Sequence, residues 1–238
     1  MKKITKSKTA VILCGGKGLR LRPLTKDIPK PLVEINGEPI LYYVINHLLS
    51  HNIDQIILAT GYKSNLVDKF MKQRFSNISY RIVDSGDVSI IKRLHDITNI
   101  HKDDFILCYG DTISNVDIKK LISFHKKHPE NIIMTSYPIT IPFGVMCLGK
   151  NKLVKSFREK PVLSEVMNIG YYYVPSKFIK SIHKYKNFVS FIDSTIKKKL
   201  LMCYEHKKLH ITINTLAELE NARENIKKII KTQLFKSH

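Results

Sequence analysis

The 238-residue chain has no tryptophan, only four cysteines, and half as many acidic as basic side chains, 20 against 40. Each shortage excludes something. Cys14, Cys108, Cys147 and Cys203 are widely spaced and form no C-x-x-C pair, so neither a zinc site nor a disulfide framework is expected. Among the ten histidines, His125 and His128 share a helix face with no Cys or carboxylate cluster beside them, which reads as surface histidine. No segment approaches the roughly 18 apolar residues of a membrane span. The stretch Met1–Lys8 is basic and polar, without the apolar core of a secretory signal. A cytoplasmic protein with no membrane segment is therefore expected. The net charge of +20 favours anionic partners. Nucleic acid, an anionic membrane surface and phosphorylated small molecules all fit that charge, as does a merely solvated basic face. The basic residues are spread along the chain without a nucleic-acid-binding motif, which disfavours nucleic acid.

What is present is an ordinary globular composition, 43% hydrophobic and 25% charged, arranged as alternating strand and helix patterns. Apolar runs at Thr9–Leu13, Gln55–Ala59, Tyr80–Val83 and Phe105–Tyr109 read as buried parallel strands. Helical patterns occupy Pro39–Ser50, Asn65–Phe75, Ile90–Thr98 and Asp117–His128. Beyond residue 130 the strands are 132–137, 144–148, 153–157, 170–174 and 209–213, with short helices at 178–183 and 191–198. A capping box of Thr215 and Glu218 opens a last helix running to about residue 235. Repeated βα units predict a Rossmann-like three-layer α/β/α fold with a mostly parallel, mixed sheet. No linker or repeat divides the chain, so one domain over 1–238 is expected, with residues 1–8 a flexible basic arm and a partly antiparallel insertion in the second half.

In such sheets ligands bind beyond the carboxyl ends of the strands. The first strand runs into Cys14-Gly15-Gly16-Lys17-Gly18-Leu19-Arg20-Leu21-Arg22, where glycines allow close backbone approach to a phosphate and three cations add charge. It is neither a dinucleotide fingerprint nor a Walker A loop; a plain tight turn would also use those glycines. A second strand ends in Tyr109-Gly110-Asp111, a natural place for Mg²⁺ and equally for a turn or capping aspartate.

Gly15-Gly16-x-Gly18-x-Arg20-Leu21, then Pro29-Lys30-Pro31-Leu32, then Gly110-Asp111, then Phe157-Arg158-Glu159-Lys160-Pro161 occur in that order. This resembles the family that joins a nucleoside triphosphate to a sugar 1-phosphate, the nucleotide-diphospho-sugar transferase type, over about Thr9 to Ala222. Val83-Asp84-Ser85-Gly86-Asp87 and the segment Tyr109–His128 are similar to the glucose-1-phosphate cytidylyltransferase branch. The resemblance implies CTP as nucleotide, Mg²⁺ as cofactor, pyrophosphate as leaving group and self-association as a property of some members. By position it implies that Gly15, Gly16 and Gly18 wrap the nucleotide and that Arg20 and Lys30 hold the triphosphate. Ser85 and Gly86 would lie near the base, and Arg93 near phosphates. Asp111 would bind the metal, with residue 214 completing the site. Lys160 would hold the acceptor's phosphate.

Three departures qualify this. Leu19 stands where the family has Thr or Ser. Ile90-Ile91-Lys92 and Asn168-Ile169-Gly170 replace glycine-rich segments near the sugar. Asn214 replaces an aspartate at the metal, offering a carbonyl oxygen without charge. The lost glycines and the added Lys92 suit an acceptor bearing a carboxylate, as in the family's CTP:phosphoglutamine cytidylyltransferases, with Asn168 and Lys92 in the acceptor site. A sugar 1-phosphate acceptor is the alternative. A third reading, prompted by Asn214, is an inactive relative retained for binding.

Overall fold

The computed structural model describes residues 8–229. Most of the predicted basic arm and the end of the predicted C-terminal helix lie outside the described residues. In chain order the elements are β1 (Thr9–Leu13), the hairpin β2 (Glu34–Ile35) and β3 (Glu38–Pro39), α1 (Ile40–Ser50), β4 (Gln55–Thr60), α2 (Ser64–Arg74), β5 (Ser79–Asp84) and α3 (Ile90–Ile100). There follow β6 (Phe105–Tyr109), β7 (Thr112–Ser114), α4 (Ile118–Lys127), β8 (Ile132–Thr140), β9 (Val145–Leu148), β10 (Val154–Arg158) and β11 (Val162–Val174). The chain continues through α5 (Ile179–Ile182), α6 (Phe188–Lys197), β12 (Leu201–Glu205), β13 (His210–Thr212) and α7 (Leu216–Ile229).

Seven strands make one sheet in the order β12-β8-β11-β6-β1-β4-β5. β6, β1, β4 and β5 pair in parallel, as do β8 and β12. Only β11 runs against its neighbours, antiparallel to both β6 and β8. Val11, Ile57 and Leu107 point to one face while Ala10, Ile12, Ile56, Leu58, Ile106 and Cys108 point to the other. The alternation along β-branched strands thus fills two cores. Helices α1, α2, α4 and α7 cover one face, and α3, α5 and α6 the other. The predicted three-layer α/β/α architecture with a mostly parallel, mixed sheet is the one observed.

Local signals set the helix starts. Ser89 Oγ, Asp117 Oδ1 and Asn187 Oδ1 accept from the backbone N–H of Lys92, Lys120 and Ser190 at 3.4, 2.9 and 2.7 Å. Each satisfies an N–H that a helix's first turn leaves unpaired. The hairpin around Asn36-Gly37, with φ of 51° and 88°, β7 and β12 were not expected from the pattern. β11 extends far beyond the predicted 170–174, because its first half pairs only with β8 and is exposed, leaving no buried apolar run to betray it. His125 corrects the surface reading: it is buried, its ring stacked on Tyr173 at 4.1 Å between centroids. β9 and β10 pair only with each other, forming a ribbon with exposed apolar cross-strand pairs Met146–Phe157 and Leu148–Val154.

Burial also sets a pH response. Loss of hydration pushes His47, on the buried face of α1, down to about 3, and His210 down to about 4. Both are neutral in the fold, whereas an unfolded histidine titrates near roughly 6.5. Stability is therefore fully present above that value and lost as pH falls toward the two folded values, because only the unfolded chain takes up the protons. Urea midpoints followed from pH 7 to 5 are expected to fall, and to fall less steeply in His47→Leu. Equal slopes in the two proteins would contradict this origin.

Candidate active site

The loops at the carboxyl ends of β1, β5 and β6, with Asn214 ahead of α7, line two adjoining cavities of about 280 and 420 Å³. Gly16 and Asp111 line both. The larger is walled by Gly18, Leu19, Arg20, Lys30 and Asn214, and its chemistry centres on one cation. The Lys30 ammonium donates to Asp111 Oδ2 and, at 2.8 Å, to Asn214 Oδ1. Arg20 donates to that same Asn214 oxygen at 3.0 Å. Three separated chain segments thus meet at a carboxylate and an amide oxygen.

Backbone ties hold them there. Asp111 C=O accepts from Ile213 N–H at 3.1 Å, next to the antiparallel pairing of β7 with β13. Glu218 Oε2 accepts from the N–H groups of Asn214 and Thr215 at 2.6 and 2.9 Å, and Thr215 Oγ1 accepts from Glu218 N–H at 3.2 Å. This is the predicted capping box, and it orients Asn214 as well as starting α7. On the glycine side, Gly18 has φ 61° and a Cβ there would lie 2.9 Å from Lys30 Cβ. Only glycine lets this loop double back onto the lysine without strain.

The smaller cavity is lined by Gly15, Asp87, Val88, Ile90, Arg93 and Tyr109, among others. Across the cavity Lys17 bonds Asp87 at 2.5 Å, and that contact holds the exposed Asp87 carboxyl below its usual range. Cys14 and Cys108 lie beneath, their thiols pushed up by burial, which keeps them protonated and disfavours them as nucleophiles.

A family profile described as nucleotidyl transferase matches residues 9–232. The chain is a member of the nucleotidyltransferase family. It is 33% identical over 193 residues to a glucose-1-phosphate cytidylyltransferase of Salmonella typhimurium, covering 69% of this chain and 74% of that one. It is 29% identical to the D-glycero-alpha-D-manno-heptose 1-phosphate guanylyltransferase of Aneurinibacillus thermoaerophilus, covering 81% and 85%. The solved structure of HddC from Yersinia pseudotuberculosis shares the fold, with a TM-score of 0.73 at 23% identity, covering 92% of this chain and 99% of that one.

For this nucleotidyltransferase the fold brings together Gly15, Gly16, Gly18, Arg20, Lys30, Asp111 and Asn214, and separates other predicted residues from them. Ser85 and Gly86 sit in the loop after β5, but its cavity-lining residues are Asp87 and Val88. Arg93, expected near phosphates, lines the cavity, and its guanidinium donates to the carbonyls of Thr60, Gly15 and Gly86. Lys92, expected in the acceptor site, lines neither cavity: it lies on the exposed side of α3, paired with Asp96 at 2.5 Å, because adjacent helical residues point 100° apart and Arg93 takes the inward direction. Lys160, with φ 42°, occupies the exposed turn between β10 and β11 and lines neither cavity. Asn168 brackets the bend of β11, accepting from Gly170 N–H at 2.9 Å and donating to Tyr172 Oη at 2.5 Å. Asp87, Val88 and Tyr109 had not been singled out as site residues. The signal for them was positional: they close the β5 and β6 runs at the same sheet edge.

Removing the Glu218 carboxylate frees two backbone N–H groups at once. Glu218→Ala is expected to cost about 1 kcal/mol of stability, as lost caps do, read as a lower urea midpoint. An unchanged midpoint would show that α7 and Asn214 are held by other contacts.

Proposed function

We propose that this nucleotidyltransferase moves a cytidylyl group from CTP to a sugar 1-phosphate. The observation that carries the reading is the convergence of Arg20 and Lys30 on Asp111 and Asn214 where the two cavities meet. A phosphate oxygen of the acceptor attacks the α-phosphorus of CTP. A new phosphoanhydride forms, the α–β bond breaks, and its electron pair leaves with pyrophosphate. Such a step asks for alignment and neutralised charge rather than a protein nucleophile. Arg20 and Lys30 supply the charge for the triphosphate in the larger cavity, while the nucleoside takes the smaller one. Lys160, in the turn before β11, and Asn168, within β11 beside its bend past Tyr109, belong to the acceptor side.

The oxygens of Asp111 and Asn214 suit a hard cation such as Mg²⁺. Among the described residues no group of three or more His, Cys, Asp or Glu side chains could hold a metal. One carboxylate and one amide match the way Mg²⁺ is held, largely by substrate phosphates and water. When bound it would neutralise charge on those phosphates. In the free protein the Lys30 ammonium already satisfies both oxygens.

A cytosine base is supported by the Val83–Asp87 loop beside the smaller cavity and by the likeness to the Salmonella cytidylyltransferase. The sugar phosphate is favoured over phosphoglutamine because Lys92, the cation that suited a carboxylate-bearing acceptor, is engaged by Asp96 away from the cavity. Purified protein given CTP, Mg²⁺ and glucose 1-phosphate is expected to release pyrophosphate, with phosphoglutamine and the other nucleoside triphosphates as comparisons. Lys30→Ala and Asp111→Asn should each lower kcat by about 10²–10³. Turnover with phosphoglutamine alone would replace the acceptor; no turnover with any pair would make the chain an inactive relative.

A further inference from the structure

Arg93 presents an unusual arrangement for a nucleotide site. Its side chain projects from the first turn of α3 and is buried, at 4% exposure. Its guanidinium is hydrogen-bonded to carbonyls from three different loops: Gly15 after β1 at 3.1 Å, Thr60 at the end of β4, and Gly86 after β5 at 2.7 Å. The loops after β1 and β5 line the smaller cavity, as does Arg93 itself, and the end of β4 is tied to them through the same guanidinium. Two glycines are shaped around this one cation. A Cβ on Gly15 would stand 2.0 Å from Arg93 Cζ, and one on Gly61 would stand 2.8 Å from Arg93 Nη2 and 2.2 Å from the Gly86 carbonyl. Among the described residues no carboxylate bonds it directly; Asp84, Asp87 and Asp96 offset its charge from a distance.

We propose that Arg93 is a positioning residue, whose guanidinium clamps the β1, β4 and β5 loops at the spacing that makes the nucleoside cavity. Parallel strands present their carboxyl-terminal carbonyls side by side, all with the same polarity. A buried cation with donors in a fixed planar fork can collect several of them at once. Lysine cannot reproduce the fork, because its donors sit on a single freely rotating nitrogen. Gly15 then has a role beyond phosphate approach, since it vacates the space the guanidinium fills. Gly61 is added to the site for the same reason.

The proposal makes the three loops a single unit, and hydrogen exchange on the free protein reads that directly. In Arg93→Lys and Arg93→Met, amides in 14–18, 60–64 and 84–88 are expected to exchange about tenfold faster together, while β8 and β12 keep wild-type protection. Gly15→Ala tests the same link without removing the arginine. Its methyl should displace the guanidinium and speed exchange in 60–64 and 84–88, loops to which residue 15 does not belong. Unchanged exchange in those two loops in all three variants overturns the proposal. A binding arm rests on the nucleotidyl-transfer reading. Arg93→Lys should weaken CMP, CDP and CTP by the same factor, whereas a loss that grows with each added phosphate would make Arg93 a phosphate ligand and overturn the proposal. If the wild-type protein binds none of these nucleotides, the cytidylyl-transfer reading fails and the exchange result still decides the role of Arg93.

Discussion

The arrangement of the site depends on a single carboxylate at the end of β6. Arg20 and Lys30 repel one another, and the backbone turn that brings their segments together leaves that repulsion to be offset by other groups. Asp111 draws the lysine inward, Asn214 offers one oxygen to both cations, and the backbone of Asp111 ties the strand before α7 to the same point. Among the described residues that line the larger cavity, Asp111 is the only acid. A lone acid among cations leaves the cavity net positive, which suits a polyanion. A carboxylate at position 214 would have moved that balance toward holding a metal without substrate.

The sheet makes this possible by polarity. Four neighbouring parallel strands deliver their carboxyl ends to one edge, so the loops there share exposed carbonyls, room for glycines and the positive ends of the helices that follow. β11 breaks the pattern, and that reversal carries the chain away from the edge and back. It passes Tyr109 at its bend, where a Cβ on Gly170 would collide with the tyrosine ring. The exposed ribbon β9–β10 ends in the turn that holds Lys160, so the residue assigned to the acceptor rides on the least buried part of the described fold.

Several features were readable from residue order alone. β1, β4 and β6 are continuous β-branched or apolar runs too short for helices, and their burial on both faces follows. The box of Thr215 and Glu218 announced α7 because capping is a local contact three residues apart. What escaped reading was non-local. β7 is three residues that become a strand only through pairing with β13. β12 follows three lysines, and its partner β8 lies about seventy residues earlier in the chain. His125 read as a surface histidine, and is instead covered by Tyr173 from a strand no local pattern connects to it.

The sequence by itself determined that the chain is an α/β nucleotidyltransferase, because strand runs, helix periods and the ordered Gly, Lys, Asp and Lys-Pro segments are all local patterns. Only the tertiary structure decided which cations line the cavities and which turn away from them. Lys92 and Arg93 are neighbours in sequence, yet one turns outward to Asp96 and the other inward to three carbonyls. Where a side chain finds its partners depends on which face of a helix packs against the sheet, and a string of residues does not carry that distance.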